Sequence, residues 1–171
     1  GENHLRIRAA PFTVRHELEA AYIIGDFSLE PADSGFAIVP AATLTLGSWK
    51  EQGCPLYGDG VVYMQEFQLD EMSGTYSVVL SDWHGSVARV AVNGRPADVV
   101  YRAPWECDIT QHVRPGVNRI EVTVVGTLRN TLGPHHGNPP QGRAWPGMFK
   151  QAPEVGPPPG AQYATVDYGL R

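Results

Sequence analysis

The side chains of this chain that could do chemistry sit in segments rich in turn formers, not in its alternating runs. Trp83 and His84 stand together in Ser-Asp-Trp-His-Gly. Tyr57 lies in the loop SWKEQGCPLYGDG, and Arg102 comes just before a Pro104-Trp105 corner. His135, His136, Arg143 and Trp145 fall in the stretch GPHHGNPPQGRAWPGMFKQAPEVGPPP. An aromatic ring can bury the apolar C–H face of a pyranose. Charged and amide side chains hydrogen-bond sugar hydroxyls, often in pairs. Mounted together on loops, these types could contact a sugar, and the candidates for such contacts are Tyr57, Trp83, His84, Arg102, His135, His136, Arg143 and Trp145. Asn130 is a further loop candidate. Trp105, at its corner, reads instead as a core side chain, because Trp is highly buried on average. Trp49 fits either role.

Two chemistries are weakly supported. His135-His136 invites a zinc reading, but adjacent residues of an extended chain point opposite ways. No His-x-His or Glu-x-x-His spacing completes a ligand set, so no metal is predicted. Glycosidic cleavage needs two facing carboxylates. Glu51, Asp59, Glu66 and Glu106 are available, yet nothing in the sequence pairs them. There is no Gly-x-Ser-x-Gly elbow, P-loop or dinucleotide fingerprint. A non-catalytic role is therefore expected; a small lyase built on Arg, His and Tyr stays open.

These residues must be positioned by strands. The chain has 19 Gly and 15 Pro, which suits many short strands joined by turns. Val61 to Leu69 alternates with period two, and so do residues 119–125, with Ile120, Val122 and Val124 on one face. Residues 87–92 run into Asn93-Gly94, the strongest short hairpin signal. Residues 97–101 continue beyond it, and Pro115-Gly116 marks another turn. Residues 75–80, rich in β-branched and aromatic types, predict a strand. Further strands are expected at 21–27, 36–39 and 163–170, with an edge at 44–46. Residues 1–20 form a lead-in, and 133–160 are too rich in Pro for a helix or central strand. The expectation is one antiparallel β-sandwich domain over 1–171, with almost no helix and a long Pro/Gly-rich loop.

Composition excludes some partners. A net charge of −5 and a pI near 5.6 argue against nucleic acid. No apolar run reaches the length of a membrane span. The chain begins with Gly1 and shows no signal peptide, which reads as a processed protein or an excised domain. Cys54 and Cys107 could form one disulfide or stay as two thiols.

The order of motifs resembles a known family. VARVAVNGRPADVV, APWECDIT and VRPGVNRIEVTVVGTLRN follow one another. This series resembles the galactose-binding-like jelly-roll domains of large glycoside hydrolases, such as the sugar-binding domain of family 2 enzymes and accessory domains of α-L-rhamnosidase-type proteins. The matching pieces are Val92-Asn93-Gly94, Pro104-Trp105, Asp108-Ile109-Thr110, Pro115-Gly116-Val117-Asn118 and Leu128-Arg129-Asn130. Upstream, WKEQGCPLYGDGVVYMQEF resembles the loop that enters the first core strand. Cys54 and Cys107 depart from the pattern. The resemblance covers about residues 49–130 and speaks more to fold than to ligand. It implies a carbohydrate-binding or accessory part of a larger enzyme, with a polysaccharide and a catalytic domain as partners and an extracellular or periplasmic setting. A purely structural domain is the alternative. No cofactor is expected. Related jelly rolls often carry a structural calcium; Asp26, Glu30, Asp33 and Asp70 lie in turns here without a ladder of oxygens, so calcium is left open, not predicted. Most motif residues should serve the backbone: Asn93-Gly94 a turn with positive φ, Asp108 and Thr110 a corner.

Overall fold

A computed structural model describes residues 4–13, 15, 22–133, 135 and 157–171. Its strands in chain order are β1 (Phe27–Pro31), β2 (Phe36–Pro40), β3 (Gly60–Leu69), β4 (Ser77–Val79) and β5 (Trp83–His84). There follow β6 (Val87–Val92), β7 (Arg95–Val100), β8 (Glu106–Asp108), β9 (Gly116–Val125) and β10 (Gly169–Leu170). All the strand pairs are antiparallel. The fold is an all-β antiparallel sandwich.

One sheet has the order β3-β9-β6-β7. Strands β3 and β9 pair along their full length, from Gly60 opposite Val125 to Leu69 opposite Gly116. On β9, Val122 and Val124 point into the core, while Arg119 is exposed and bonds outward to Glu121 at 3.0 Å. The period-two pattern thus sorts one face into the core and the other into water. The pairs β4–β8 and β5–β10 carry the opposing side. Val78, Leu80, Cys107 and Ile109 from that side join Val90, Val92, Val122 and Val124 in one hydrophobic cluster. Trp49 lies at its edge, 1% exposed, with its indole N–H donating to the Tyr63 hydroxyl at 2.7 Å. The two readings left for Trp49 resolve to core.

The turns behave as their residue types demand. Asn93 and Gly94 take φ of 53° and 75°, the two positive values that a two-residue hairpin with matched twist requires. Asn118 is fully buried and works as a clamp. Its side chain accepts from the Arg114 N–H and the Asn93 amide, both at 2.9 Å, and donates to the Arg114 and Gly116 carbonyls. The Pro-Gly turn before β9 is thereby tied to the Asn-Gly turn between β6 and β7. At the next corner, the Asp108 carboxylate accepts from the Thr110 N–H at 2.8 Å, and Thr110 Oγ1 accepts from the Tyr76 N–H at 2.9 Å.

Several expectations need correction. The strand expected at 21–27 begins only at Phe27, and Ile23 and Ile24 are 72% and 95% exposed. Hydrophobicity alone makes no strand without a ladder partner; the partner of β1 is β2, starting at Phe27 opposite Pro40. Residues 44–46 form no edge strand, because the Thr45 N–H donates to the Gln52 side chain at 2.8 Å. The closing strand expected over 163–170 shrinks to Gly169–Leu170. Upstream of it the backbone bonds go elsewhere: Ala164 to the His135 carbonyl, and Val166 to the Asn130 side chain. Arg129–Leu132 is a short helix, α1, that places Asn130 for this task. Cys54 and Cys107 are free thiols, so the bridge does not exist.

Candidate functional site

Strand β5 is only two residues long, yet it mounts Trp83 and His84 at a defined place. Trp83 pairs with Leu170 and His84 with Gly169. Gly85 follows because nothing larger fits: a Cβ there would lie 2.8 Å from Val124 and 3.0 Å from the Trp83 ring. Gly169 has a φ of +145°, and a Cβ on it would meet the Gly47 carbonyl at 2.1 Å. The glycines on each side of the β5–β10 pair let it lie directly on the sandwich.

Trp105 meets Trp83 from the corner before β8. Its carbonyl accepts from the Leu80 N–H at 2.8 Å, which ties the corner to the strand side of the molecule. The two indoles meet edge to face, with centroids 5.5 Å apart and planes at 79°. Trp105 is 43% exposed, so the expectation that it belongs to the core is overturned. A Pro corner positions the ring, but the neighbouring tryptophan shields only one side of it.

Residues 81–86, Trp105 and residues 166–168 line an open cleft of about 360 Å³. The lining includes Asp82 and His84, whose side chains lie 3.7 Å apart and are both about half exposed. It also includes Asp167, held by the Ser48 hydroxyl and the Arg171 guanidinium. Arg171 also donates its backbone N–H to the Asp82 carbonyl at 2.9 Å, tying the segment after β10 to the one before β5. Behind the cleft Tyr168 is buried, its hydroxyl 2.5 Å from Thr127 Oγ1 and its ring 5.6 Å from that of Trp49. The arrangement offers an aromatic surface, a carboxylate–imidazole pair and a second, braced carboxylate. It can stack on an apolar ring face and accept hydrogen bonds from hydroxyls.

Only part of the expected set comes together here. Trp83 and His84 line the cleft. Arg102 does not; it is exposed, with its guanidinium carbon 5.8 Å above its neighbour Tyr101. Tyr57 sits edge-on to Trp49 at 5.8 Å and donates to the Gly60 carbonyl at 3.1 Å, so it braces the entry loop. Burial, then the nearby Asp59 and Cys54, push its phenol above its usual pKa. His135 packs on the Tyr163 ring at 5.4 Å, away from the cleft lining. His136, Arg143 and Trp145 lie outside the described residues. Sequence reasoning missed Asp82 and Asp167. Asp82 had a signal, since it abuts Trp83 and His84; Asp167 had none, because a segment distant in sequence, just before β10, carries it to the site. Among the described residues no group of three or more His, Cys, Asp or Glu is placed to hold a metal ion. No helix among them is long and apolar enough to cross a membrane.

No protein-family model matches the chain. Over 93 residues it is 30% identical to a protein of Formosa agariphila named "Putative beta-glucuronidase". That match takes in 51% of this chain and 8% of the relative, so the chain spans a small fraction of that protein's length. Among solved structures, a rhamnosidase from Novosphingobium sp. PP1Y is similar with a TM-score of 0.45 and 20% identity, over 69% of this chain and 12% of that one. A GH2 beta-galacturonidase from Eisenbergiella tayi is similar with a TM-score of 0.38 and 23% identity, over 63% of this chain and 18% of that one. The fold assignment rests on the strand pairing described above.

Proposed function

We propose that this chain is a non-catalytic carbohydrate-binding domain of a larger glycoside hydrolase, a galactose-binding-like jelly roll that spans residues 1–171 as one unit. The observation that carries the reading is the open cleft in which Trp83 and Trp105 meet edge to face beside Asp82 and His84. An exposed Trp105 ring edged by the half-buried Trp83 and flanked by hydrogen-bonding groups suits a pyranose, which has one apolar and one polar aspect. The likeness over 93 residues to a small part of a named beta-glucuronidase supports a place within a longer carbohydrate-active protein. In this reading the chemistry belongs to a separate catalytic domain, and the setting is extracellular or periplasmic. His136, Arg143 and Trp145 stay candidates on residue type.

Affinity gel electrophoresis of the 171-residue chain in a panel of neutral and acidic polysaccharides tests the proposal. At least one polymer should retard it. Trp83→Ala and Trp105→Ala should each weaken binding about tenfold, the equivalent of ~1.4 kcal/mol of stacking. A folded chain that no polymer retards sinks the reading.

A second reading has its own observation. The outward face of the four-stranded sheet exposes Val62, Met64 and Val117 at 48%, 61% and 56%. Such a face suits bracing against another domain with no sugar involved. Normal folding with no glycan retention would favour it.

A further inference from the structure

The charges around the cleft narrow the class of sugar, an inference that rests on the carbohydrate-binding reading above. The lining carries two carboxylates, Asp82 and Asp167, and no arginine or lysine among the described residues. The Asp82 side chain is 56% exposed, and its near neighbour is His84 at 3.7 Å. Among the described residues, the Arg171 guanidinium beside the site is already engaged by Asp167. Arg102, three residues before Trp105 in sequence, stands over its own neighbour Tyr101 at 5.8 Å. A uronate needs a cation, best a planar guanidinium fork, for its carboxylate. Here it would meet the Asp82 carboxylate, whose side chain is more than half exposed. A neutral sugar meets the opposite situation. Its hydroxyls are donors, and a carboxylate is an acceptor with several lone-pair sites.

We propose that the Trp83–Trp105 cleft is a neutral-hexose site that discriminates against uronic acids. The selectivity resides in Asp82, with Asp167 held as a second acceptor by Ser48 and Arg171.

The test uses the whole 171-residue chain with galactan, mannan and β-glucan, each beside its C6-oxidised, uronate-bearing form. Isothermal titration should give at least one neutral polymer that binds about threefold or more tightly than its oxidised partner, the size expected of one exposed like-charge contact. Asp82→Asn should shrink that ratio toward one, and so should added salt. Equal or tighter binding of the oxidised form, with Trp83→Ala still weakening it about tenfold, overturns the inference and leaves the binding cleft standing. Failure to bind any polymer overturns both.

Discussion

At the residue scale, the site depends on close approach more than on polar bonds. Gly169 is the clearest case, with a φ of +145° and the Gly47 carbonyl 2.1 Å from where a Cβ would sit. Gly169→Ala must shift backbone, at a cost of about 2 kcal/mol, which in a chain of this size lowers Tm by about 4–8 °C. A thermal melt checks this, and an unchanged Tm would show that the β5–β10 contact is looser than described. Asp108 gives a pH dependence. Its hydrogen bonds from Thr110, side chain and backbone, hold its carboxyl below the usual carboxylate range. A group whose pKa is lower folded than unfolded stabilises the fold above its unfolded pKa, and this is lost as pH falls through the folded value. Asp108→Asn should therefore lower Tm at neutral pH, and the gap from the parent should close as the buffer is acidified through the carboxylate range. A constant gap would mean that charge at Asp108 does not matter.

At the element scale, the motif residues are joints, as their residue types imply. Asn118 holds two turns with its buried amide. Asn118→Ala would leave the Arg114 N–H and carbonyl and the Asn93 amide without their partner in a part-buried place, at about 1 kcal/mol for a group left without its bond. In urea the midpoint should fall with the slope unchanged, the sign of lost stability without a changed fold. An unaltered midpoint would mean that water replaces the amide at no cost. Asn130 plays the same part between α1 and the chain at Val166, with its amide donating to one backbone group and accepting from the other. The sequence marks these positions as turns and corners because Asn, Gly and Pro act through local backbone geometry. It does not mark what each joint holds, since those partners come from elsewhere in the chain.

At the scale of the molecule, a four-stranded sheet and a set of shorter pairs enclose one apolar cluster without any covalent tie. Burial raises the pKa of both thiols. Reductant should leave Tm unchanged, and a thiol reagent should find two reactive groups in the unfolded chain but modify Cys107 slowly in the folded one, where it is 3% exposed. A Tm that falls on reduction would contradict the free thiols.

Local patterns by themselves determined the sandwich class, the alternation of β3 and β9, the Asn-Gly hairpin and the acidic character that argues against a nucleic-acid partner. These depend on neighbours in sequence, through side-chain period and turn dihedrals. Trp83 and His84 were legible as candidates for the same reason, as polar and aromatic types in a turn-rich loop. Tertiary structure alone decided which candidates meet. It turned Trp105 from core to cleft, sent Tyr57 and Trp49 to packing, placed Arg102 outside the lining and brought Asp167 into the same lining as Asp82. It also shortened the strands expected at both ends of the chain. A ladder needs a partner strand in register, and that partner is chosen by long-range pairing that no local window contains.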